Sequence, residues 1–159
     1  MSPPLPLEPS PARYPSVFMR YLAATRPAFL SVTLVACVLG LATAYRTGLA
    51  LDAVTALVTV LFALLAHAGV NVINDYHDGL SGADALNTER LFPFTGGSRF
   101  IQNGVLTLRQ TARFGYGLLA LVIAAGLWLS WHTGPGLLAI GAGGLLAGWA
   151  YSAPPLRLM

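Results

Sequence analysis

The chain has 159 residues, a formal net charge of +3, and hydrophobic residues at 55% of positions against charged residues at only 9%; a soluble domain carries about 25% charged residues. Mean hydropathy is +0.66, so the composition excludes an ordinary soluble domain and points to a membrane protein. All nine basic residues are Arg, scattered rather than in a block, which reads as loop anchoring at an anionic membrane surface and gives no footprint for nucleic acid.

Residues 1–20 begin MSPPLPLEPSPARYPS. This Pro-rich stretch lacks the basic n-region and apolar h-region of a cleaved signal peptide, and is expected to be a disordered cytoplasmic tail. Four nearly uncharged stretches follow, 28–45, 53–72, 114–131 and 134–151. Each has about the length that crosses a bilayer, roughly 20 residues at 1.5 Å rise. Backbone satisfaction in lipid then requires helices, so the expected fold class is all-α, a polytopic transmembrane helix bundle with four spans in this chain. Cys37, alone in the first span, reads as a small packed hydrophobe.

The Arg residues orient the spans. Arg13, Arg20 and Arg26 precede the first, Arg90, Arg99, Arg109 and Arg113 lie between the second and third, and Arg157 follows the fourth; Arg46 alone falls on the other side. The positive-inside rule therefore predicts a cytoplasmic N-terminus and middle loop, and an integral protein of a bacterial inner membrane, in keeping with the Ala/Gly/Leu-rich lexicon. Trp131 and His132 are expected at the outer interface, and the glycines of GAGGLLAG, 141–148, are expected to let another helix approach closely.

Three of the six acidic residues, Asp75, Asp78 and Asp84, fall within ten positions in NVINDYHDGLSGAD, 71–84. Continued as a helix at about 100° per residue, the second span places His67, Asn71, Asn74, Asp75 and Asp78 on one face of about 100°. The rest of the span is apolar all round, so that face must look into the protein or a wet cavity. Asp78 lies about 39 Å of helix from Ala53, at or just past the membrane boundary. Gly79 and Gly82 are expected to break the helix, which lets Asp84 fold back toward the other two.

Carboxylates and amides without clustered Cys or His are hard oxygen donors suited to Mg²⁺, which takes one or two carboxylates and fills its remaining positions with water and phosphate. A diphosphate is the natural partner. The loop RLFPFTGGSRFIQNG, 90–104, supplies Arg99 after a Gly-Gly turn, with Arg90 upstream. Arg pairs with phosphate through parallel hydrogen bonds, and Gly-rich turns aim backbone N–H groups at anions. The plainer readings are a solvated helix end for the acids, a membrane-surface anchor for Arg99, and a hydrogen-bonded helix contact for His67.

These residues resemble a known family. NVINDYHDGLSGAD is similar to the first Asp-rich motif of the UbiA superfamily of intramembrane aromatic prenyltransferases, most of all the form in 1,4-dihydroxy-2-naphthoate polyprenyltransferases of menaquinone synthesis. ATRPAFL, GGSRFIQNG and YSAPPLRL agree in order, so the resemblance covers residues 21–159. It implies a bundle of about nine spans and Mg²⁺-dependent transfer of a polyprenyl group from polyprenyl diphosphate to an aromatic acceptor, whose ring attacks the ionised allylic carbon. Residue by residue it implies metal ligation by Asn74, Asp78 and Asp84, substrate binding by Asn71, Asn74, Asp75, Arg99 and Gln102, and catalytic roles for Asp78, Asp84 and Arg99. 4-Hydroxybenzoate and homogentisate remain alternative acceptors.

The family carries a second Asp-rich motif, whereas no acidic residue follows Glu89 here. The chain is therefore expected to be the front part of such an enzyme, through an interrupted frame, an excised piece or a split gene. Alone it is expected to be inactive unless the missing C-terminal half joins it as a partner chain. Two readings of other classes are a non-catalytic four-helix membrane protein, such as a cation-transporter subunit, and a decayed fragment.

Overall fold

The computed structural model describes residues 8–158, and every regular element among them is helical: α1 (Val17–Ala24), α2 (Pro27–Arg46), α3 (Ala53–Ser81), α4 (Ala83–Leu86), α5 (Leu108–Thr133) and α6 (Gly136–Ser152). Local chemistry sets the ends. Pro27 opens α2 at a position where its missing N–H costs no helical hydrogen bond. Asp52 caps α3 by accepting from the Thr55 N–H at 2.7 Å. Thr107 and Gln110 form a reciprocal capping box at the start of α5, with Gln110 N–H on Thr107 Oγ1 at 3.2 Å and Thr107 N–H on Gln110 Oε1 at 2.9 Å.

Among the described residues, three helices, α2, α3 and α5, are long and apolar enough to cross a membrane. The expected fourth span is the 17-residue α6, about 25 Å at 1.5 Å per residue, a shorter apolar helix. Apolar residues face outward over much of this body: α2 has no buried residue, and Val32, Leu39 and Leu57 are exposed, as lipid contact requires. Trp131, at the expected outer interface, is 88% exposed.

α3 is the hub, packed along α5 and touched by α2 and α6. Small residues set two of these approaches. A Cβ at Gly115 would lie 2.8 Å from Ile73 Cδ1, and one at Gly148 2.7 Å from Val70 Cγ2. Of the glycines in 141–148, only Gly148 makes such an approach; Gly141, Gly143 and Gly144 face open space. Gly141 and Gly144 help line an apolar cavity of about 630 Å³ among α2, α3, α5 and α6.

Two expectations need correction. The helix does not break at Gly79, which stays within α3 and packs against Ile101 and Leu108; it ends at Gly82, whose φ of +77° is accessible to glycine and whose N–H donates to Asp78 O. The tail assigned as disordered is placed from residue 8 onward. Glu8 and Pro9 are buried, Tyr14 packs on Phe100 with ring centroids 5.3 Å apart, and 17–24 form α1. Residues 1–7 of that tail lie outside the described residues.

Candidate functional site

At 29 residues, α3 is about 43 Å long, well over the roughly 30 Å of a hydrocarbon core. Its last turns therefore emerge into a cap built from α1, α4 and the 87–107 loop. Polar groups are buried there: Asp75, Asp78, Asp84, Arg90, Ser98 and Arg99 are all 6% exposed or less. Burial on that scale demands partners for each charge.

The one-sided polar face of α3 divides by depth. His67, deepest in the bundle, shares a hydrogen bond of 2.8 Å between Nδ1 and Thr33 Oγ1, a helix-to-helix contact between α3 and α2. Asn71 Nδ2 donates to Thr25 O at 3.1 Å, tying α3 to the corner after α1. Asp75 accepts the Ser98 N–H on Oδ1 at 3.0 Å, gripping the loop just after its glycines. Asn74 Nδ2 donates to Asp78 Oδ2 at 2.7 Å, and these two residues have oxygens left over.

Across from them, Asp84 does fold back. Gln102 Nε2 donates to its Oδ2 at 3.2 Å, and Arg99 Nη1 donates to its backbone carbonyl. Its carboxylate lies so near Gly97 that any Cβ there would overlap it, and Gly97 has φ +70°; close approach and backbone both require glycine. Burial pushes the Asp84 carboxyl above its ordinary range, opposed by the Arg99 guanidinium and the Gln102 hydrogen bond. Burial likewise pulls Arg99 below its ordinary value, reinforced by the nearby Arg90 charge. Arg99 itself has φ +64°, a left-handed conformation that costs an Arg of order 1 kcal/mol or more.

Among the described residues, four buried side-chain polar atoms have no hydrogen-bond partner: Asn74 Oδ1, Asp78 Oδ1, Arg99 Nε and Ser152 Oγ. Orphaned groups cost about 1–3 kcal/mol each and are kept where something else satisfies them. Two are hard oxygen acceptors on adjacent turns of one helix, and one is a cationic donor from the loop. No group of three His, Cys, Asp or Glu side chains among the described residues could hold a metal unaided. The two orphaned oxygens still fit Mg²⁺, which leaves several positions to water and phosphate.

Arg26, which the sequence marks as an anchor and as part of ATRPAFL, also belongs to this cap. It holds φ +56° at the start of α2, donates from Nη2 to Pro93 O at 2.8 Å, lies 4.3 Å over the Phe29 ring, and favours ionised Asp84 electrostatically. The available signals are its place within ATRPAFL and before a helix-starting Pro. Nothing local in the sequence marks Glu8 or Ser98 either; their roles depend on contacts remote in sequence, with Arg90 and Asn103 for Glu8 and Asp75 for Ser98.

Residues 21–159 match the UbiA prenyltransferase family. Over 101 residues the chain is 31% identical to a protein of Xenopus tropicalis named UbiA prenyltransferase domain-containing protein 1, a stretch covering 64% of this chain and 27% of that protein. The aligned part thus spans about a quarter of that curated relative's length. No solved structure matches the chain.

Proposed function

Because the chain belongs to the UbiA prenyltransferase family, we propose that it carries a diphosphate-binding wall of an integral membrane enzyme that transfers a polyprenyl group to an aromatic quinone precursor. One observation carries the reading: Asn74 Oδ1, Asp78 Oδ1 and Arg99 Nε, buried and unpaired, are the acceptors and donor that a cation–diphosphate pair would satisfy.

The residues divide the work. Asn74 and Asp78 offer oxygens to Mg²⁺, with Asp84 in reserve from the loop side. Arg99 Nε–H remains free for a phosphate oxygen while its Nη1 is held by the Asp84 carbonyl. Asp75 and Gln102 fix the loop through Ser98 and Asp84, and Asn71 fixes the helix. Bound Mg²⁺ would neutralise charge on the diphosphate as the allylic C–O bond breaks. Arg99 adds donor and charge at the same leaving group in a site poor in water, where such stabilisation is strong. The electron-rich ring then attacks the allylic carbon and loses a proton, or, for a carboxylated ring position, CO₂.

We assign 1,4-dihydroxy-2-naphthoate as acceptor and menaquinone synthesis as pathway, on the resemblance of NVINDYHDGLSGAD to the first Asp-rich motif of 1,4-dihydroxy-2-naphthoate polyprenyltransferases; 4-hydroxybenzoate and homogentisate are the competing acceptors. The Arg distribution supports a cap on the cytoplasmic side of a bacterial inner membrane. Further helices, from the same polypeptide or a partner chain, would supply the opposing wall. The experiment is transfer of labelled polyprenyl diphosphate by the complete protein in membranes, with each acceptor in turn. Mg²⁺-dependent product, abolished by Asp78→Ala, supports the reading; undiminished transfer by Asp78→Ala overturns it.

A further inference from the structure

The loop that presents Arg99 is held from a place the motifs do not include. Glu8 Oε1 accepts from Arg90 Nε at 2.5 Å, and both side chains are essentially inaccessible, at 0% and 2% exposure. Its other oxygen accepts from Asn103 Nδ2 at 3.2 Å, and the Pro9 carbonyl accepts from the same Nδ2 at 3.0 Å. Arg90 and Asn103 bracket the turn that contains Arg99. Between them the force path is short. The stem of Arg90 lies against Gly96, where an added Cβ would be 2.8 Å from Arg90 Cβ. Asn103 N–H donates to the Arg99 carbonyl at 3.0 Å. Electrostatics point the same way, since Arg90 repels the Arg99 guanidinium and Glu8 attracts it.

A buried carboxylate facing a buried guanidinium is costly to assemble and gives little net stability against an apolar pair. What it gives is a fixed geometry for both partners. Tyr14 on Phe100, and Arg20 Nε on Tyr14 O at 2.7 Å, pin the same N-terminal segment to the loop and to α1.

We infer that residues 8–14 are a strap across the cap and that Glu8 is a positioning residue, which locks Arg90 and Asn103 so that Arg99 is held ready for the prenyl diphosphate. The inference rests on the diphosphate reading above. Loss of the Glu8 carboxylate removes one acceptor from each end of the turn, from Arg90 Nε and from Asn103 Nδ2. A misplacement of about 1 Å at a positioning group costs up to about 100-fold.

The test uses the complete enzyme in membranes with a polyprenyl diphosphate as probe. Glu8→Ala should raise the KM for the diphosphate about tenfold while the KM for the aromatic acceptor stays put. A role in folding alone would lower the amount of active enzyme and move neither constant. Arg90→Met added to Glu8→Ala should be no worse than Glu8→Ala alone, because the two act as one unit. An unchanged diphosphate KM in Glu8→Ala, or effects of Glu8 and Arg90 that simply multiply, would overturn the strap. If Glu8→Ala does not accumulate, Glu8→Gln decides: a roughly threefold rise in that KM supports the strap, and no rise overturns it. Hydrogen exchange needs no turnover, and amides 96–104 should exchange about tenfold faster in Glu8→Gln, with unchanged exchange overturning the strap. Wild-type enzyme without transferase activity would sink the diphosphate reading instead. Active wild type, dead Asp78→Ala and indifferent Glu8 variants would sink the strap alone.

Discussion

The cap and the membrane body of this bundle follow opposite packing rules. In the body, apolar side chains such as Val32, Leu39 and Leu57 are exposed, and buried polar contacts reduce to a few ties such as Thr33 to His67. In the cap, aspartates and arginines are buried beneath a loop, and unpaired atoms remain at Asn74, Asp78 and Arg99. Lipid explains the first pattern, because outward apolar surface costs nothing there. The second has no such explanation. Charged groups taken out of water with lone pairs unspent are a stored cost, and a bound cation and diphosphate would offset it.

Substitutions that discharge this stored cost should separate stability from activity, and they carry the largest expected effect. Asp78→Asn should lower transferase kcat by about 10³-fold while raising metal-free stability by about 1 kcal/mol, read by activity and thermal unfolding of the same preparation. A loss of both would make Asp78 a structural residue. Gly97→Ala comes next. Its Cβ would collide with the Asp84 carboxylate at a positive φ, so about a 10²-fold loss of kcat/KM is expected without loss of membrane insertion. Smaller again is Asn71→Leu, which deletes the bond to Thr25 O and should cost about 1–2 kcal/mol of stability and under tenfold in rate. In the body, Leu57→Ala on the exposed face should change unfolding by less than about 0.5 kcal/mol. A large effect at Leu57 would show that the outward face is a protein contact, and would break the contrast.

The body was largely legible in the sequence, and the reason is physical. Hydropathy reports contact with lipid, so α2 lies within a residue of the expected 28–45 at each end. It underestimates helices where they leave the bilayer: α5 starts at Leu108, six residues before the apolar stretch, because the Thr107–Gln110 capping box lies in polar sequence. The same blindness hid α1 and the order of residues 8–16. Within the site, the wheel correctly placed Asn74 and Asp78 together, since helical phase is a local property. It did not separate Asp75 and Asn71, which have protein partners, from Asn74 and Asp78, which have oxygens to spare. That distinction depends on Ser98 and Thr25, 23 and 46 residues away. Glu8 is remoter still, 82 residues from Arg90, and no periodicity encodes such a pairing.

The central claim is that Asn74 Oδ1 and Asp78 Oδ1 await a divalent cation with its diphosphate. Mn²⁺, a paramagnetic substitute for Mg²⁺, reads this directly: electron paramagnetic resonance of free Mn²⁺ is titrated with the complete protein in the presence of inorganic pyrophosphate. The account predicts saturable loss of the free-ion signal with wild type and no saturable loss with Asp78→Ala at the same protein concentration. Equal binding by the two proteins would contradict it.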